Sequence, residues 1–111
     1  QMAPKNPNYC TTLGIIEYRS GNWGKAIEWL NQTIALRENE PQATELFFLS
    51  MALWQQALGP QEQAAHYFQQ AGNWADKNRP GNANLARIRT EAAQVRVEFN
   101  TTDSPEPAKS Y

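Results

Sequence analysis

The stretch from Leu46 to Leu58, LFFLSMALWQQAL, is the most apolar in the chain and lies near its middle. As a helix rising about 1.5 Å per residue it spans roughly 20 Å, too short for a bilayer. Gln55 and Gln56 would also sit badly in lipid. It therefore reads as a buried helix, and a helix apolar on nearly all sides needs neighbours on more than one side.

The flanking sequence supplies them. Pro4 and Pro7 make residues 1–6 an extended lead-in, and Pro7 or Asn8 is placed to start a helix. Tyr9, Leu13 and Ile16 recur at helical spacing up to Arg19, where Ser20-Gly21-Asn22 breaks the pattern. Trp23, Ala26, Ile27, Leu30 and Ile34 form the stripe of a second helix, ended by Asn39 and Pro41. Beyond the central run, Gly59-Pro60 marks a turn, and Ala64, Ala65, Tyr67, Phe68, Ala71 and Trp74 define a fourth helix to about Lys77. Asn78 to Asn82 is a dense turn signal. Asn82 or Asn84 is placed to cap a fifth helix with Leu85, Ile88, Ala92, Val95 and Phe99 inward and Arg87, Glu91, Gln94 and Glu98 outward. Asn100 to Tyr111 lacks periodicity and reads as a flexible tail. No strand is expected, and the fold class is all-α, an antiparallel stack of helix hairpins.

Charge and chemistry narrow the function. Lys plus Arg number 10 and Asp plus Glu 11, so no strong positive field draws in phosphates and nucleic acid is not an expected partner. Low net charge offers little resistance to self-association. The single Cys10 excludes an intrachain disulfide and an all-cysteine zinc site. His66, the only histidine, falls on a solvent-facing part of a helix, so Cys10 and His66 read as a core thiol and a surface imidazole ahead of a nucleophilic pair. Glu38, Glu40 and Glu45 cluster about a turn and read as a solvated connection ahead of a cation site. No catalytic residue, metal or cofactor is expected. Trp23 and Trp54 sit on apolar stripes as core residues, whereas Trp29 and Trp74 lie nearer the edges and are candidates for exposed aromatic contacts. Asn31 and Asn100 head acceptor triplets for glycosylation, relevant only to an exported chain. The start at Gln1 without Met suggests a piece of a longer chain or one whose leader has been removed. The expected compartment is accordingly cytoplasmic for an adaptor and extracytoplasmic for a processed chain.

The chain also repeats itself. A slide of 38 residues sets Leu13-Gly14 on Met51-Ala52, Gly21 on Gly59, Ala26 on Ala64 and Leu30 on Phe68, and Leu85-Ala86 begins a third instance. This spacing resembles the tetratricopeptide repeat, a helix-turn-helix unit of about 34 residues. In that register residues 7–40 form one repeat, 45–78 a second and 82–99 a capping helix. More narrowly, the runs Tyr18 to Trp23, Ala26 to Leu30, Phe47 to Trp54 and Trp74 to Pro80 look like two-repeat units appended to large planctomycete proteins, including kinases. The sequence departs from the repeat pattern at Cys10, where an aromatic is usual and is restored by Phe48, and at Glu17. The helix-ending prolines, Pro41 and Pro80, also come late.

The resemblance implies a scaffold that binds a protein or peptide in a concave groove. Asn8, Thr11, Thr12, Ile15, Tyr18 and Arg19 would line it from the first repeat. Leu46, Leu49, Ser50 and Leu53 would follow from the second, and Arg87 from the cap. Relatives that clamp a C-terminal carboxylate carry Lys and Asn at set groove positions. Asn8, Thr12, Leu46 and Ser50 stand there instead, so no such clamp is implied. The alternative expectation is a homo-oligomer, a structural subunit of an exported fibre that stacks on itself through the apolar ends of its repeats.

Overall fold

The chain folds as five α-helices joined by short connections in the computed structural model, which describes residues 6–56 and 61–103, with side chains as far as residue 98. They are α1 Pro7–Arg19, α2 Trp23–Leu36, α3 Ala43–Gln56, α4 Gln61–Asn78 and α5 Ala83–Asp103. No strand occurs among the described residues. Leu58, Gly59 and Pro60, read above as core and turn residues, lie outside them, as do the lead-in to residue 5 and the tail from 104.

Local chemistry sets the helix ends. Asn6 caps α1 by accepting the Asn8 N–H at 2.8 Å, and Pro7 occupies the first turn, where a missing N–H costs nothing. After α1, Gly21 takes φ +84, a left-handed conformation natural to glycine. This lets the Asn22 N–H return to the Glu17 carbonyl at 2.9 Å. Of the two asparagines placed to cap α5, Asn82 does so, its Oδ1 accepting the Leu85 N–H at 2.9 Å. Helix α5 runs to Asp103, four residues past its expected end at Phe99, so residues 100–103 of the expected tail are helical.

The central run is the hub of the packing: α3 contacts each of the other four helices. Leu46, Phe47, Phe48, Leu49, Ser50, Met51, Ala52 and Trp54 are all buried. Its one buried charge, Glu45, is met by the Arg37 Nε–H at 2.5 Å and the Gln42 backbone N–H at 2.8 Å. The α1–α2 hairpin closes tightly because Gly14 has no side chain. A Cβ there would stand 2.8 Å from Leu30 Cγ and Cδ2. Beside it, the buried Thr11 and Thr33 hydroxyls share a hydrogen bond at 3.2 Å.

Phe68, the counterpart of Leu30 in the 38-residue slide, packs its ring against Phe47 and Trp54, each at 5.8 Å between centroids. Those two residues are two turns apart on one stripe of α3, and Ser50 and Met51 lie between them on that stripe.

Helix α5 does not continue the stack. It lies mainly along α3, with little contact to α4. Leu85, Ile88, Ala92 and Val95 are buried on its inner stripe. Its Glu91 carboxylate accepts both terminal guanidinium nitrogens of Arg19, at the end of α1. The last helix therefore crosses the central one to reach the first.

Candidate interaction surfaces

The expected concave groove is largely closed. Leu46, Leu49 and Ser50 are buried within α3, which α5 covers in addition to the three other helices, and the Ser50 hydroxyl donates to the Phe47 carbonyl at 2.7 Å. Thr11 is occupied with Thr33 and the Pro7 carbonyl. Tyr18 is buried between Trp23 and Phe48, and its phenol oxygen accepts from Gln55 Nε2 at 3.3 Å. These five do not line an open surface. Thr11 faces α2, Tyr18 packs on Trp23 and Phe48, and Ser50 lies on the stripe of α3 that meets Phe68 of α4, while α5 packs along α3, where the repeat pattern would have set it against α4. Asn8, Thr12, Arg19 and Arg87 remain exposed, and Ile15 and Leu53 are half-buried. Even among these, Asn8 accepts from Arg37, and Arg19 lies over the Phe48 ring at 5.3 Å while paired with Glu91.

The same displacement of α5 opens a cleft on its other side. About 560 Å³ in volume, it runs between α4 and α5 and is lined by Glu62, Ala65, His66, Phe68, Gln69, Asn73, Arg89 and Arg96. Glu62, His66, Gln69 and Asn73 recur at spacings of four, three and four, so they share one face of α4. By the 38-residue slide, Ala65 and Phe68 correspond to Ile27 and Leu30 of α2. Arg89 and Arg96, seven residues apart, come from the facing side of α5. Arg96 sits over the Phe68 ring at 5.6 Å, and Arg89 reaches Asp76 at 3.0 Å. Sequence reasoning treated His66 only as a surface residue and overlooked the paired arginines. Their seven-residue spacing, which puts both on one side of α5, was the available signal.

A second surface lies on the outer side of α1. Tyr9 and Ile16 are each 53% exposed, with Leu13 half-buried between them, on the opposite side of the helix from the buried Thr11 and Tyr18. Isolated exposed apolar residues are ordinary, but three on one stripe form a patch.

The remaining candidates are accounted for individually. Cys10 on α1 is buried, and burial pushes its thiol up from 9.0. His66 is exposed on α4, a helix that α1 does not touch, so the two do not form a pair. Glu45 is buried while Glu38 and Glu40 are exposed, and no group of three or more metal-ligating side chains occurs among the described residues. Trp23 is half-buried against the core and Trp54 is buried. Trp29 and Trp74 are both half-buried, Trp74 beside Thr44, Arg79 and Asn84 in a shallow depression. Asn31 is exposed in the middle of α2, and Asn100 lies within α5 with its side chain outside the described set. No described helix is long and apolar enough to cross a membrane. No protein-family model, curated protein or solved structure matches the chain. The likeness to the tetratricopeptide repeat therefore rests on the sequence pattern alone.

Proposed function

We propose that the chain is a non-enzymatic protein- or peptide-interaction module built from two tetratricopeptide-like hairpins and a closing helix. The α4–α5 cleft carries this reading: it combines an apolar floor, amide side chains and two arginines on a single concave surface. The separation of Cys10 from His66, with the thiol held protonated by burial, favours binding over nucleophilic catalysis. Selection of random peptides on the folded chain tests it. Enriched peptides should lose binding when the cleft is filled by Ala65→Trp, and failure of any sequence to enrich would refute the reading.

The outer stripe of α1 favours a second reading, a self-stacking structural subunit. Tyr9, Leu13 and Ile16 sit where a preceding hairpin would pack in a longer array, and a contact between unlike faces of two copies propagates without closing. Light scattering at rising concentration separates the two. Growth without added partner, suppressed by Tyr9→Ser with Ile16→Ser, supports stacking, and a monomer at every concentration excludes it.

A further inference from the structure

We infer that the α4–α5 cleft takes an acidic peptide segment, two carboxylates of which meet Arg89 and Arg96; this rests on the reading of the chain as an interaction module. Arg96 makes no ion pair among the described residues. Its contact with Phe68 engages the face of the guanidinium, while the N–H donors radiate in its plane and suit a bidentate carboxylate. Arg89 is held by Asp76 in a pair whose side chains are 44% and 68% exposed. Such a surface pair is weak, so a ligand carboxylate can share the guanidinium. Gly72 makes room for it: a Cβ there would lie 2.7 Å from Arg89 Nη2, so only a bare backbone lets the arginine lie flat on α4.

The geometry limits the ligand further. Seven residues on α5 separate the two arginines by about 10 Å along the helix. A polyproline-type segment rises about 3.1 Å per residue with three residues per turn, so acidic residues three apart project on one side about 9 Å from each other. Between them, one apolar side chain meets Ala65 and Phe68 on the cleft floor. Gln69 and Asn73, exposed and four apart on α4, offer amide donors and acceptors to the peptide backbone. Glu62 lines the cleft on one side of this positive centre, and Asp76 is bound to Arg89 on the other. Like charge at both limits favours a short acidic motif over a long acidic tract.

The test is fluorescence anisotropy of the whole chain with a labelled peptide carrying two aspartates three apart around a leucine, beside the same peptide with asparagines. Replacing both aspartates by asparagine should weaken binding about a hundredfold, and Arg96→Glu should weaken binding of the aspartate peptide about tenfold, the loss expected of one charge-assisted contact. Arg96→Gln provides a milder second variant, and thermal melts confirm that both variants are folded. Equal binding of the two peptides, or indifference to both Arg96 variants, overturns the acidic assignment. If random selection still enriches neutral peptides that Ala65→Trp displaces, the module reading stands without it. If nothing enriches, both fall.

Discussion

Two glycines in mid-helix provide a sharp test of how this fold is packed, because adding one methyl group to each should have opposite consequences. In α1, the Cβ of Gly14→Ala would lie 2.8 Å from both Leu30 Cγ and Cδ2, and 3.5 Å from the Ala26 carbonyl oxygen. Leu30 is fully buried and cannot swing aside without disturbing the α1–α2 contact. Overpacking of this kind costs about 1–3 kcal/mol, against which alanine regains about 1 kcal/mol of helix propensity. The net loss is about 1 kcal/mol, or roughly 5 °C in Tm for a domain of this size. In α4, the Cβ of Gly72→Ala would come as close, 2.7 Å, but to Nη2 of the half-exposed Arg89. That guanidinium moves into solvent at the loss of one surface ion pair worth at most about 1 kcal/mol, so the propensity gain leaves stability unchanged or raised. Urea unfolding followed by helical circular dichroism measures both. A Gly14→Ala variant as stable as the parent, or a Gly72→Ala variant that loses as much as Gly14→Ala, would refute the reasoning. Adding Leu30→Val to Gly14→Ala should recover part of the first loss, a non-additivity expected only of side chains in contact.

Two further predictions concern buried polar groups. Burial pushes the Tyr18 phenol up from 10.0, against the opposing pull of the Gln55 hydrogen bond, so the folded state favours the neutral form. Its contribution is full below pH 10 and lost as pH rises through the raised folded value. Urea midpoints should therefore fall with alkaline pH less steeply in Tyr18→Phe than in the parent. Arg37→Met strands the Glu45 carboxylate, which is 1% exposed, and should cost about 3 kcal/mol by denaturant unfolding. The double replacement Arg37→Met with Glu45→Leu should cost less, and the same or greater loss would contradict the stranded-charge argument.

Helix placement was legible in the sequence because the signals are local. Pro7, Gly21 and Asn82 act on the backbone within a few residues, and the apolar stripes follow from helical period alone. How the second hairpin packs is a matter of Phe68 in three dimensions, where it sits between Phe47 and Trp54. Whether the last helix covers the expected groove was not legible, for a non-local reason. An apolar stripe at Leu85, Ile88, Ala92 and Val95 says that α5 must be covered, but not whether α3 or α4 does so. Packing on α3 left the cleft at Arg89 and Arg96 between α4 and α5.

The packing of α5 on α3 changes how the molecule should come apart. In a linear array of hairpins each unit touches only its neighbours, and unfolding frays inward from whichever end is weaker. Here the final helix rests mainly on the central one, and only the surface pair of Arg19 with Glu91, worth at most about 1 kcal/mol, reaches from it to α1. Detaching α5 therefore uncovers the helix on which all the others pack. The protected amides of α3 and α5 consequently belong to one cooperative opening unit in hydrogen exchange, although a whole helix separates them in the chain.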